Sequence, residues 1–304
     1  MTARGNGGKK EVREKLEASI SELNDKPGHI EGSLLFENVM RDYLQCIHGF
    51  IATDRDGLIN LEKKIDQSAG IETRLIYHQA LVYQLYLRNI GNIGKQALPE
   101  GVAAYLGQDF DRIVELADKG NAARLSFTDY PFLSYIEKLC FKSLPFGNHD
   151  VTLSGVPRKL MFKQSLKNML KMSFSLLSMG GNEPLFELHY NPHRLRLFNP
   201  DGWKEVFALA AQTLKTRKEV KGLFGATWFY DPAMKEVSPE LSYIRELIEK
   251  IGGAFYLAGS SEDDRKNAFF ASKARKEAYE EGRYMPTSYM MIIKREALLQ
   301  YYAS

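Results

Sequence analysis

Apolar residues recur at three- and four-residue intervals through the first half of the chain. Val12, Leu16, Ile20 and Leu23 lie on one face of a helix over 11–23, and the same rhythm predicts helices over 33–50, 58–67, 72–90, 98–119 and 132–142. The connectors Asp54-Arg55-Asp56-Gly57 and Gly91-Asn92-Ile93-Gly94 are clusters that end helices and permit left-handed backbone. Residues 1–10 hold three Gly, two adjacent Lys and almost nothing apolar, so a disordered tail is expected there.

The rhythm changes after Pro145, where Gly, Asn, Asp and Pro surround the β-prone run Val151-Thr152-Leu153. A boundary at 150/151 is expected, with a helical domain over 11–150 and an α/β domain over 151–304. A long helix over 158–179 and a turn over 179–184 come first. Strands over 185–190 and 194–198, paired across Asn191-Pro192-His193, are expected next, then a helix over 203–215 and a strand over 223–230. A helix over 239–251, a strand over 254–258, a helix over 262–281, a strand over 287–293 and a helix over 296–302 complete the chain. The predicted class is α/β (α+β), a helical N-terminal part followed by a mixed sheet covered by helices. The runs 223–230, 254–258 and 287–293 are expected in one sheet, with the helices at 239 and 262 packed on it.

Composition narrows the class. With 304 residues, 44% hydrophobic and 26% charged, the chain can bury one large core or two modest ones, which excludes disorder. Forty-one Lys and Arg against 38 Asp and Glu leave +3, too balanced for a nucleic-acid partner to be expected. Cys46 and Cys140 form no CxxC pair, which excludes a disulfide scaffold and a zinc ribbon and predicts a reducing, cytoplasmic setting. No apolar run approaches the length of a membrane span, and the opening residues lack the apolar core of a signal peptide.

Several short motifs lack the partners their chemistry requires. Gly147-Asn148-His149-Asp150 matches one block of the metallophosphoesterases, but no Asp-x-His or Gly-Asp pair precedes it, so a capped turn is the reading taken. Residues 52–63 have the outline of an EF-hand loop, yet Ala52 and Lys63 stand where calcium needs an acid and a bidentate Glu. His189 and His193 are separated by Pro192 and have no paired Cys or acid at zinc spacing. No metal is expected. His193 is read as a turn residue; His189, ending a β-rich run, is either a satisfied polar group or a general base.

The segment from Leu223 to Lys294 reads strand, turn, helix, strand, helix, strand. Its last helix carries Asn267, Ser272, Arg275 and Tyr279, followed by Gly282-Arg283-Tyr284 and the run Thr287–Ile293. This order resembles the closing half of the GCN5-related acetyltransferase (GNAT) fold, over about a quarter of the chain. The resemblance implies a co-substrate, acyl-coenzyme A or an acyl carrier protein thioester. It implies cofactor contacts from Trp228, Phe229, Ser238, Asn267, Ser272 and Arg275, with the helix start at Ser238-Pro239 facing the pyrophosphate. Tyr279 would protonate the departing thiolate, and His189 or Asp231 would be the base. The plain structural alternative is that Tyr279 packs on the sheet and that Trp228, Phe229 and Tyr230 are core and strand residues.

Lys159, Lys163, Lys167 and Lys171 recur every four residues along the helix expected over 158–179. Such a ridge is either a solvated face or a dock for an acidic carrier protein or an anionic lipid surface. The expected function is acyl transfer from a thioester to an amine. The alternative is a non-catalytic ligand-binding or interaction protein, peripheral to a membrane if the lysine ridge docks there.

Overall fold

A computed structural model describes residues 5–25, 35–47, 54–120, 126–181, 183–270 and 272–303. The chain forms two compact units, Met1–Leu144 and Pro145–Ser304.

The first unit is helical: α1 (Gly5–Asn24), α2 (Phe36–Ile47), α3 (Arg55–Ala69), α4 (Ile71–Asn89), α5 (Glu100–Asp118) and α6 (Tyr130–Leu139). Helix α1 begins inside the stretch expected to be a tail, so Gly5–Lys10 are helical and only residues 1–4 of that stretch lie outside the described residues. Val12, Leu16 and Leu23 are buried, and α1 packs on α4, so tertiary contact extends a helix that composition alone disfavours. Fully buried Tyr43, Tyr77, Tyr86, Phe110, Phe127 and Phe132 fill the core, and the His78 ring stacks 4.2 Å from Phe132. The EF-hand-like stretch contains a helix start: Asp54 Oδ1 accepts the Gly57 amide at 3.0 Å and caps α3, while Ala52 and Thr53 lie outside the described residues.

The second unit is a six-stranded sheet covered on both faces. Its strands are β1 (Ser143–Phe146), β2 (His149–Ser154), β3 (Leu185–Tyr190), β4 (Gly222–Thr227), β5 (Ala254–Gly259) and β6 (Ser288–Lys294), in the order β1-β2-β3-β4-β6-β5. The β3–β4 pair is parallel, and β2–β3, β4–β6 and β5–β6 are antiparallel. The helices are α7 (Leu166–Ser178), α8 (Pro200–Thr216), α9 (Met234–Val237), α10 (Ser242–Ile251), α11 (Glu262–Phe270), α12 (Lys273–Glu280) and α13 (Arg295–Tyr301). The fold is α/β, and the three runs expected in one sheet are its neighbours β4, β6 and β5. Alternation along the strands sorts the core. Leu185, Phe224, Tyr256, Met290 and Ile292 pack under Leu160, Met172 and Met179, while α8, α10 and α13 lie against the opposite face, where Ile293 approaches Ile248.

Three expected elements differ. The segment 194–198 is not a strand. Residues Pro192–Leu197 form a 3-10 turn, because Asn191 accepts the His193 amide at 3.0 Å and Arg194 donates to the Gly147 carbonyl. The helix expected over 158–179 is two pieces, a 3-10 turn Arg158–Lys163 and α7, with Gln164 and Ser165 extended between them. The break serves the edge strand β5: the Gln164 side chain both accepts from the Leu257 amide at 3.1 Å and donates to its carbonyl, and Lys163 Nζ donates to Ala258 O at 2.8 Å. The four lysines therefore form no single ridge. Lys167 and Lys171 are exposed on α7, Lys163 is tied to β5, and the Lys159 side chain lies outside the described residues. Third, the helix expected over 262–281 is divided into α11 and α12, with Ser272 capping the second through the Arg275 amide at 3.3 Å.

Candidate active site

The parallel pair β3 and β4 places the site. Their ladder is confined to Phe186–Leu223 and Glu187–Phe224, whereas the other edge of β4 is paired with β6 from Gly222 through Thr227. At Gly225 the strands still touch, since a Cβ there would stand 3.2 Å from Leu188 Cβ. Beyond that contact, around His189 and the exposed Ala226, the two C-terminal ends have no ladder between them. An opening outside the carboxyl ends of parallel strands is where open α/β sheets bind ligands.

Strand register brings polar groups to one side of this opening. Asp150 lies opposite His189 and Thr152 opposite Glu187, so all four share a face. His189 Nε2 is 3.1 Å from Thr152 Oγ1 and 3.9 Å from Glu187 Oε2, and its side chain is 32% exposed. Asp150 is buried and accepts from Asn191 Nδ2 at 3.2 Å, which ties the end of β3 to β2. An imidazole held by a hydroxyl, beside a carboxylate and open to solvent, can accept a proton.

The opposite face is aromatic. Tyr190 packs on Phe198 at 5.3 Å, Phe198 on Phe229 at 5.5 Å and on Trp203 at 6.0 Å, and Trp203 on His149 at 4.5 Å. Gly147 at φ +60 opens the two-residue turn between β1 and β2, so the block Gly147-Asn148-His149-Asp150 is a hairpin. Asn148 Nδ2 donates to Leu197 O at 3.0 Å, which leaves its Oδ1 to accept from His149 Nδ1 at 2.7 Å. Among the described residues no group of three or more His, Cys, Asp or Glu could hold a metal.

His149 is 2% exposed, and burial, with the neighbouring His189 charge adding to it, pushes its pKa down to about 3. The linkage has a definite sign. The unfolded state takes up a proton near the ordinary imidazole value of about 6.5 and the folded state does not, so stability is full above that value and falls as pH drops toward 3. The expected slope is up to about 1.4 kcal/mol per pH unit in that window. Urea titrations of the parent and of His149→Gln between neutral and acid pH check this, with a shallower slope expected for the variant.

The residues proposed from the resemblance fall into separate groups. Trp228 and Phe229 belong to the 3-10 turn Trp228–Tyr230 that follows β4, with their rings 4.9 Å apart. The Arg275 guanidinium lies 4.7 Å from the Trp228 ring and donates to Ser238 Oγ at 2.8 Å and to Ala268 O at 2.6 Å. Ser238 and Arg275 are both buried and bonded to each other, which satisfies the hydroxyl and part of the guanidinium within the protein. Ser238 also caps no long helix; a 3-10 turn, Pro239–Leu241, follows it, and its hydroxyl serves Arg275. Asp231 is buried, which raises its pKa, and its carboxylate accepts the Ala233 amide at 2.9 Å, as a turn cap does. Tyr279 packs on Phe269 with the rings tilted and their centroids 5.1 Å apart, Ser272 is the α12 cap, and Asn267 is exposed on α11. His189 is on β3, and its hydrogen-bond and ion-pair partners, Thr152 and Glu187, are on β2 and β3. Thr152, Glu187, Gly225 and His149 were not singled out from sequence as site residues; the alternation Glu187-x-His189 was the one local signal for a shared face.

No protein-family model and no curated protein matches the chain. Solved structures that resemble it are crystal structures of acyltransferases. One in complex with decanoyl-CoA has a TM-score of 0.47 and 11% identity, covering 97% of this chain and 89% of that one. Another, in complex with CoA and 10C-teicoplanin, has a TM-score of 0.49 and 13% identity over 97% and 89% of the two chains. A third, with decanoyl-CoA and teicoplanin, has a TM-score of 0.44 and 13% identity over 94% and 99%.

Proposed function

We propose that the second unit transfers an acyl group from a thioester, carried on coenzyme A or on an acidic carrier protein, to an amine. The observation that supports this is the opening between β3 and β4, with His189 on its rim. A thioester laid between the two strand ends would meet the free edge of β4, where the Ala226 amide, on the side away from β6, can polarise its carbonyl. His189 takes a proton from the amine as the C–N bond forms. The C–S bond then breaks and the thiol leaves, protonated, so that amine and thioester give amide and thiol. Tyr190, Phe198 and Phe229 supply an apolar wall. Trp228, Ser238 and Arg275 brace the turn after β4, a positioning role in this reading.

A second reading, ligand binding without catalysis, is favoured by a cavity of about 870 Å³ in the first unit. Ile20, Phe36, Met40 and Leu44 give it apolar walls, and its charged lining is Arg41, Arg88 and Glu37, with Arg41 paired to Asp42 at 3.3 Å. One thermal-shift experiment separates the two. Under acyl transfer, decanoyl-CoA and free coenzyme A raise Tm, and decanoate alone does not; at a hundredfold excess over Kd the stabilisation is about 2.7 kcal/mol. A shift with decanoate and none with coenzyme A would favour the cavity and remove the support for acyl transfer.

A further inference from the structure

Helix α7 turns Met172 inward against the sheet and leaves its outer side apolar. Leu166, Leu170, Phe174 and Leu177, spaced by four, four and three residues, are between 61% and 73% exposed, and Phe162 just before them is 86% exposed. Successive spacings of three and four put them in one stripe. Scattered exposed apolar residues are ordinary, but a contiguous stripe of large side chains marks a surface that something covers.

The charge around the stripe says what. Residues 158–181 contain five Lys and Arg and no Asp or Glu. Lys167 and Lys171, exposed, each follow a stripe leucine by one residue, and Lys294 Nζ lies 5.9 Å from the Phe174 ring while donating to Ser178 Oγ. An apolar stripe edged by cations, on a segment that itself holds no acid and with Glu183 just past its end, is complementary to an anionic lipid surface: the leucines and phenylalanine enter the boundary of the acyl chains, and the lysines meet headgroup phosphates. A second copy of the chain would bring the same cations against themselves, which costs energy. We propose that α7 is an interfacial helix that docks the protein on anionic phospholipid bilayers, lying in the headgroup layer. No described helix is long and apolar enough to cross a membrane.

The test is co-sedimentation of the full chain with phosphatidylcholine vesicles, with and without phosphatidylglycerol, at low and high salt. The parent is expected to pellet with the phosphatidylglycerol vesicles and to be released by salt. Leu170→Gln/Phe174→Gln should weaken the partition at least about tenfold, from the apolar area withdrawn, with Tm unchanged because both side chains are exposed. Lys167→Gln/Lys171→Gln, which leaves the stripe whole, should weaken it less and flatten its salt dependence. The proposal is overturned if the parent shows no preference for phosphatidylglycerol, or if the first double variant binds as the parent does. It is equally overturned if that variant loses Tm, which would place the stripe in a protein core. Sedimentation equilibrium without lipid gives the last outcome: a dimer that the double variant abolishes would assign the stripe to a second copy.

Discussion

His189→Gln is expected to lower turnover of an acyl-coenzyme A with a primary amine by about 10²–10⁴, the usual contribution of a positioned acid or base. Glutamine is close to isosteric, and its amide can keep the bond now made between His189 Nε2 and Thr152 Oγ1 at 3.1 Å, so the variant removes proton transfer and spares the fold. Tm should accordingly move little, because the side chain is one-third exposed. Thiol release followed at saturating thioester reports the chemical step, and the loss should appear in kcat with KM for the thioester nearly unchanged. Thr152→Val supplies the second readout. It removes the hydroxyl that orients the imidazole, and a smaller fall in kcat with a displaced pH profile is expected. A His189→Gln enzyme with parental kcat would take His189 out of the reaction.

The helices and strand runs were readable locally because each buries one face of its own. Val12, Leu16 and Leu23 mark α1, and the six residues of β3 were bounded without error. What the chain does not advertise is set by contacts far apart in sequence. Gln164 looks like one more helical residue in a run of helix formers until its amide meets the backbone of Leu257, separated by 93 positions, and the helix breaks there to protect the edge strand. Strand β1, separated from α6 by three residues, is four residues long, too short for alternation to register. The stretch 194–198 has strand-like spacing, yet Pro192 and the Asn191 side chain start a turn, a case of local cap chemistry overriding periodicity.

The site was half visible for the same reason. His189 could be picked out as a titratable residue at a strand end, but its partners Thr152 and Glu187 follow only from the β2–β3 register, which the sequence does not state. The expectation of ligand contacts at Ser238 and Arg275 comes from the resemblance to the acetyltransferase fold. Their 2.8 Å bond reaches across 37 residues, and the buried guanidinium is satisfied by that hydroxyl and a carbonyl, a pairing that no local pattern states. Tyr284, buried beside them, carries a hydroxyl with no hydrogen-bond partner, and Arg275 and Asp231 both act on it electrostatically. That cluster fixes the turn leaving β4, and through it the position of the strand end that the proposed chemistry needs.

Gly202→Ala is expected to be the most destabilising single methyl in the second unit. In an ordinary helix interior this change stabilises, by up to about 1 kcal/mol, because alanine loses less backbone entropy. Here the glycine is in the first turn of α8, its amide bonded to Asn199 Oδ1 at 2.9 Å, and a Cβ would stand 1.8 Å from Leu197 O and 2.8 Å from Leu197 C. Both obstacles are backbone, so no side chain can swing aside. Relief requires the Pro192–Leu197 turn to lift away from the helix, which would break the Asn148 Nδ2 bond to Leu197 O and pull Phe198 from Tyr190, Trp203 and Phe229. The cost expected is about 3 kcal/mol or more, the upper end for overpacking, because a hydrogen bond and an aromatic contact are lost together. Urea unfolding should show it as a lower midpoint at unchanged slope. Gly94→Ala, where an added Cβ meets nothing within 4 Å, is the control and should be close to neutral. Since the same turn forms the apolar wall beside the β3–β4 opening, the folded fraction of Gly202→Ala should also bind coenzyme A thioesters more weakly. A variant within about 0.5 kcal/mol of the parent, the scatter of ordinary surface changes, would show that the turn and α8 are not in the contact described.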